Sequence, residues 1–147
     1  MKRLLCFAIA ALIAGCSLLP ASTELEQNRA LWEAQSAENY DFQLSIWCFC
    51  PFGGQMPLAI EVRDGEPVSI AAADGSDVTP NRESYSQVDT IEELFGVVEE
   101  AQSGGADEIK VEYDPEYGYP VSIDIDYIQE AVDDEVSYQV ANLEFLP

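Results

Sequence analysis

The sequence predicts an α+β domain in which a helix followed by three strands occurs twice. Three observations carry this. Two T-x-x-E segments each open a helical stretch. Six runs of apolar residues alternate with period two. The two halves also agree in register at one fixed offset. The expected architecture is one mostly antiparallel, six-stranded sheet with both helices on one face. In the alternative, the sheet curls around one helix while the first helix packs loosely.

Thr23-Glu24-Leu25-Glu26 has the form of a capping box, so a helix is expected from there to about Ala37. Tyr40 to Cys50 then alternates: Tyr40, Phe42, Leu44, Ile46, Cys48 and Cys50 share one face, and Asp41, Gln43 and Ser45 the other. After Pro51-Phe52-Gly53-Gly54, a second strand points Leu58, Ile60 and Val62 inward. Asp64-Gly65 signals a hairpin, and Val68, Ile70 and Ala72 return as a third strand. Asp74 to Val88 is polar and turn-rich and reads as a long loop.

Thr90-Ile91-Glu92-Glu93 is the second capping box. Ile91, Leu94, Phe95, Val98 and Ala101 form one helical stripe, and Gly104-Gly105 ends it. The first helix is less amphipathic. Ile109, Val111 and Tyr113 line a fourth strand, Val121, Ile123, Ile125 and Tyr127 a fifth, and Val136, Tyr138 and Val140 a sixth. At one offset Thr23 falls on Thr90, Glu26 on Glu93, and Glu33-Ala34-Gln35-Ser36 on Glu100-Ala101-Gln102-Ser103. Phe42, Leu44 and Ile46 fall on Ile109, Val111 and Tyr113, which suggests a duplicated unit.

The chain opens with Lys2 and Arg3 before an apolar stretch, Leu4 to Ala14, too short to span a bilayer. Ile13-Ala14-Gly15-Cys16 resembles the lipobox of bacterial lipoproteins. The resemblance implies cleavage before Cys16 and acylation of Cys16. Residues 1–15 would be the leader, 16–23 the lipidated N-terminus and tether, and 24–147 one α+β domain. Ser17, where an inner-membrane lipoprotein tends to carry aspartate, leans toward the outer membrane. The expected location is therefore the periplasmic face of the cell envelope, with the membrane held through lipid.

The net charge is −22, and loss of Lys2 and Arg3 with the leader takes it to −24. Such a charge repels nucleic acid and anionic lipid. An acidic surface suited to salty surroundings accounts for it without a cation-binding role. The chain has no histidine, which removes the usual zinc ligand and any Ser-His-Asp triad. No catalytic constellation and no cofactor is expected, and no metal site is assigned.

Cys6 leaves with the leader and Cys16 carries lipid, so Cys48 and Cys50 face an oxidising compartment. At i and i+2 of a strand their Cα atoms would stand about 6.6 Å apart, the outer edge of disulfide geometry. A bend at Pro51 would bring them closer. Three readings stay open: a disulfide, two buried thiols acting as small hydrophobes, or redox and Cu(I) chemistry with Met56 as a further soft ligand. No basic residue is close in sequence to lower a thiol pKa.

Trp47 and Phe49 occupy the outward face. They mark a contact surface, or else a helix or the loop after Asp74 covers them. Tyr113-Asp114-Pro115-Glu116-Tyr117-Gly118-Tyr119-Pro120 is a second aromatic concentration in a tight turn. Tyr117 and Tyr119 cap the core edge there or grip a partner. Asp124, Asp126 and Asp133-Asp134-Glu135 are acidic groups of a kind that binds Ca²⁺, but no spacing matches an EF-hand loop.

Cys48-Phe49-Cys50-Pro51, Asp64-Gly65, the Thr90 to Phe95 helix start and Tyr113 to Pro120 together resemble a family of small bacterial lipoproteins whose domain has no assigned function. The resemblance covers most of Trp32 to Phe145 and implies an envelope lipoprotein without supplying an activity. The helix-and-three-strand duplication is distantly similar to protein-inhibitor and envelope-assembly folds that hold another protein on a sheet face. The expected function is a protein-binding or scaffolding module with an unknown envelope partner. The alternative is a small thiol-redox or copper-binding protein built on Cys48 and Cys50.

Overall fold

Both capping boxes form as their sequence demands. The structure, a computed structural model, describes residues 23–50, 53–131 and 133–147. The leader, Cys16, the tether as far as Ser22, and Pro51 lie outside the described residues. Thr23 caps α1 (Glu24–Ala34): its hydroxyl accepts from Glu26 N at 3.2 Å, and its own N–H donates to Glu26 Oε2 at 2.7 Å. Thr90 caps α3 (Ile91–Gly104) in the same way with Glu93, at 3.2 and 3.1 Å. Gly105 closes α3 in the left-handed conformation, φ 75°. α1 stops at Ala34 rather than about Ala37, because Ser36 turns to φ 49°.

Six strands make one antiparallel sheet: β1 (Tyr40–Cys48), β2 (Leu58–Arg63), β3 (Glu66–Ala72), β4 (Glu108–Tyr113), β5 (Pro120–Asp126) and β6 (Glu135–Phe145). Their order is β3-β2-β1-β6-β5-β4. Each run of three consecutive strands is thus a meander, and the two meanders join where β1 pairs with β6. The β2–β3 hairpin turns at Asp64 and Gly65, with φ 53° and 77°. Positive φ at both central residues matches the right-handed twist of the strands, and glycine adopts it at little cost.

The predicted inner face of β1 is the centre of the core. Tyr40, Phe42, Leu44 and Ile46 are all buried, while Asp41, Gln43 and Ser45 alternate with them on the opposite face. The α3 stripe of Ile91, Leu94, Phe95, Val98 and Ala101 is buried, as its spacing predicts. Phe95 stacks on Tyr113 of β4 at 6.2 Å. α1 enters the core through Leu25 and Trp32.

Four expectations are corrected. The segment from Asp74 to Val88 is not one long loop: it holds a 3₁₀ turn at Thr79–Asn81 and α2 (Arg82–Tyr85). Buried Tyr85 and Val88 anchor it, and the Tyr85 hydroxyl meets the Gln55 side chain. Three apolar residues, Val78, Tyr85 and Val88, are too few to show a period, so composition alone read as loop. Val68 is exposed, because a register shift beside Glu61 places Pro67, not Val68, opposite Val62. β1 ends at Cys48 and β5 at Asp126, so neither Cys50 nor Tyr127 lies on a strand. A further shift between β1 and β6 lies next to Asn142, whose φ of 52° suits asparagine better than most residues.

Candidate functional site

The outer face of the sheet carries Trp47. Its register neighbours across the sheet are Ser137 on β6, Asp124 on β5 and Lys110 on β4. Trp47 is 53% exposed and Phe49 is 83% exposed. Among the described residues no helix or loop covers this pair, so the reading in which the segment after Asp74 buries it does not hold. Between them Cys48 packs half-buried against the core. Its sulfur contacts that of Cys50, and their Cα atoms lie 5.2 Å apart. That is closer than the roughly 6.6 Å of an ideal strand, because the strand ends at Cys48.

The tyrosine turn lies elsewhere. Tyr117 meets Phe145 edge-on at 5.0 Å, and Phe145 pairs with Tyr40 at the start of β1. Trp47 is seven residues further along β1, about 23 Å at strand rise. The structure therefore does not bring Trp47 and Phe49 together with Tyr117 and Tyr119. Tyr119 is half-buried and packs edge-on to Trp32 at 6.1 Å, so it caps the core. Asp114 shapes the turn by accepting from Glu116 N and Tyr117 N at 2.9 and 2.8 Å.

Asp124 and Asp126 lie on β5 as the alternation requires. The Ser137 hydroxyl donates to Asp124. Burial first, and then the Asp134 and Glu135 carboxylates, push the Asp126 carboxyl up from its ordinary value. Among the described residues no group of three or more acidic or cysteine side chains is arranged to hold a metal ion. Met56 is half-buried against the core.

Sequence reasoning missed two features. The first is a polar knot at the edge of the core, where the exposed Glu92 reaches two buried aromatic side chains. Glu92 accepts from Trp32 Nε1 at 2.8 Å and from the Tyr40 hydroxyl at 3.0 Å, and that hydroxyl accepts from Ile91 N at 3.1 Å. Burial pushes the Tyr40 phenol up, so it stays a donor. This knot ties α1, β1 and α3 together. A lone tryptophan in a mostly polar helix was its signal in the sequence.

The second is a groove of about 500 Å³ between α3 and the Cys48 end of β1. Ile46, Val88, Val97 and Val136 give it apolar walls, and Cys48 lies on its lining. Ser84, Gln87, Tyr127, Tyr138, Glu93 and Glu100 supply its polar groups. Glu93 is also the capping residue of α3, accepting from Asp89 N at 2.8 Å. Desolvation and the neighbouring Asp89 carboxylate raise its pKa to about 7. Asp89 is buried and paired with Arg82 at 3.0 Å.

A raised carboxyl pKa means that ionisation opposes folding. The contribution of Glu93 to stability is complete below about 4.5, its ordinary value, and is lost as pH rises through about 7. The wild-type chain should therefore lose stability relative to Glu93→Gln between pH 5 and pH 8. Paired urea titrations at the two pH values measure this; an equal change in both proteins would remove Glu93 as the source.

These observations define a small α+β domain: an open antiparallel sheet with helices packed on its core and an exposed aromatic pair beside two cysteines. The chain belongs to a family of unknown function, DUF6174, whose model matches residues 24–145. No curated protein and no solved structure matches it. No helix among the described residues is long and apolar enough to cross a membrane.

Proposed function

We propose that the chain is a lipid-anchored lipoprotein of the bacterial envelope that binds another protein through Trp47 and Phe49. The anchor is Cys16, and the favoured location is the periplasmic face of the outer membrane. The observation that carries the binding reading is the exposure of Phe49, 83%, next to Trp47, 53%, on a face that no helix among the described residues covers. Large aromatics are enriched where protein partners bury them. The net charge of −22 favours a basic partner surface around that apolar contact. In this reading Cys48 and Cys50 form a disulfide that holds the aromatic pair in place, and no catalysis is assigned.

Photo-crosslinking in the intact envelope tests this. A photoreactive residue at position 49 should give one discrete protein adduct, and Trp47→Ser should abolish it. A photoreactive residue at position 68, also exposed but two strands away on the edge strand β3, should give none. Equal, diffuse labelling from both positions would sink the proposal.

The second reading, a thiol-redox or copper protein, draws on the contact between the Cys48 and Cys50 sulfurs and the half-buried position of both residues. Alkylation of the exported, denatured protein with and without prior reduction separates the cases by mass. Label entering only after reduction means a bridge, whose titration with glutathione tells a structural bond from a labile one. Label entering without reduction removes the bridge, and copper content then decides between packing and metal binding.

A further inference from the structure

We infer that the groove between α3 and the Cys48 end of β1 binds a small organic ammonium ion whose apolar body lies on the valine-rich walls. This site is separate from the Trp47–Phe49 contact, since Trp47 alternates to the opposite face of β1 from Ile46. The volume of about 500 Å³ is in the range of small-molecule pockets. Its walls are aliphatic at Ile46, Val88, Val97 and Val136. Its charged lining groups are carboxylates, Glu93 and Glu100; among the described residues no lysine or arginine lines it. Tyr127 and Tyr138 add aromatic faces, which attract cations and repel anions.

The helix beside the groove supplies an independent observation. Gly96 lies inside α3, where glycine is less favourable than alanine. A Cβ built there would meet nothing within 4 Å, so packing does not require glycine. Gly96 lines this groove and also the shallower one on the α1 side of α3, so the missing side chain leaves the helix surface open between them. Burial together with Asp89 holds Glu93 near the midpoint of its titration at neutral pH, and a bound cation would draw it to the ionised form.

The test is an amide NMR titration of the full chain with 2-phenylethylamine, beside its neutral counterpart 2-phenylethanol. Shifts confined to Tyr127, Tyr138 and the Gly96 to Glu100 turn are expected. Glu100 is exposed, so Glu100→Gln should fold normally and weaken amine binding about three- to tenfold. Gly96→Leu should weaken binding by narrowing the groove mouth. The alcohol should bind at least about tenfold more weakly than the amine. Equal binding of alcohol and amine would overturn the inference. Shifts scattered over the acidic surface and removed by moderate salt would overturn it too, because they report counter-ions alone.

Discussion

Trp32→Ala should lower the unfolding free energy by about 3–5 kcal/mol, the largest loss expected from any single truncation in the domain. Trp32 is 2% exposed. Its ring meets Tyr40 edge-on at 5.3 Å and stacks on Phe145 at 5.8 Å. Its N–H donates to Glu92 on α3. Truncation would remove this packing and also free one of the two bonds that hold the Glu92 carboxylate. Trp32→Phe keeps a ring and loses only the N–H, so it should cost distinctly less. Glu92→Ala should cost about 1–3 kcal/mol, because it strands the Trp32 N–H and removes an acceptor from the Tyr40 hydroxyl. The double change Trp32→Phe with Glu92→Ala should cost less than the sum of the two, since both break the same bond. Urea denaturation of the wild type and the four variants reads all of this. A Trp32→Ala loss below about 1 kcal/mol would mean that α1 is not integral to the core.

Gly118→Ala should be the most damaging of the small-residue changes, at about 2–5 kcal/mol. Two costs coincide there. Gly118 has φ 80°, a conformation that costs an L-residue about 1–2 kcal/mol. An added Cβ would also run into the Asn28 carbonyl oxygen and stand 2.7 Å from Leu31 Cβ. Both belong to α1, so backbone and helix would have to separate. Gly65→Ala is the internal control. It has a similar φ of 77° but nothing within 4 Å, so it carries the conformational cost alone. A Gly118→Ala loss no larger than that of Gly65→Ala would show that α1 moves aside freely.

Local structure was largely legible. Thr23 and Thr90 cap helices because a threonine three residues before a glutamate satisfies free N–H groups using neighbours alone. The Asp64-Gly65 hairpin and the inner faces of β1 and α3 also depend on short spacings. The Asp74–Val88 segment was not legible, because its order rests on Tyr85 reaching Gln55, thirty positions back. Val68 was misplaced because a register shift is a property of two strands, and one strand's pattern carries no record of it.

The candidate sites divide in the same way. The nearness of Cys48 and Cys50 followed from their spacing. The exposure of Trp47 and Phe49 did not, since it depended on whether another element covered that face. Tyr117 and Tyr119 looked equivalent to them in composition, yet Phe145 and Trp32 occupy their rings at the other end of β1.

The sequence by itself determined the α+β class, the two capped helices, the six alternating segments and the acidic surface. Each follows from residue type at short range or from simple counting. Tertiary structure alone decided the strand order, which seats Phe145 beside Tyr40, and with it the Trp32–Glu92–Tyr40 knot. It also decided the groove and the raised pKa of Glu93. The reason is physical: burial and desolvation depend on which distant segments exclude water from a group, and no local pattern encodes that.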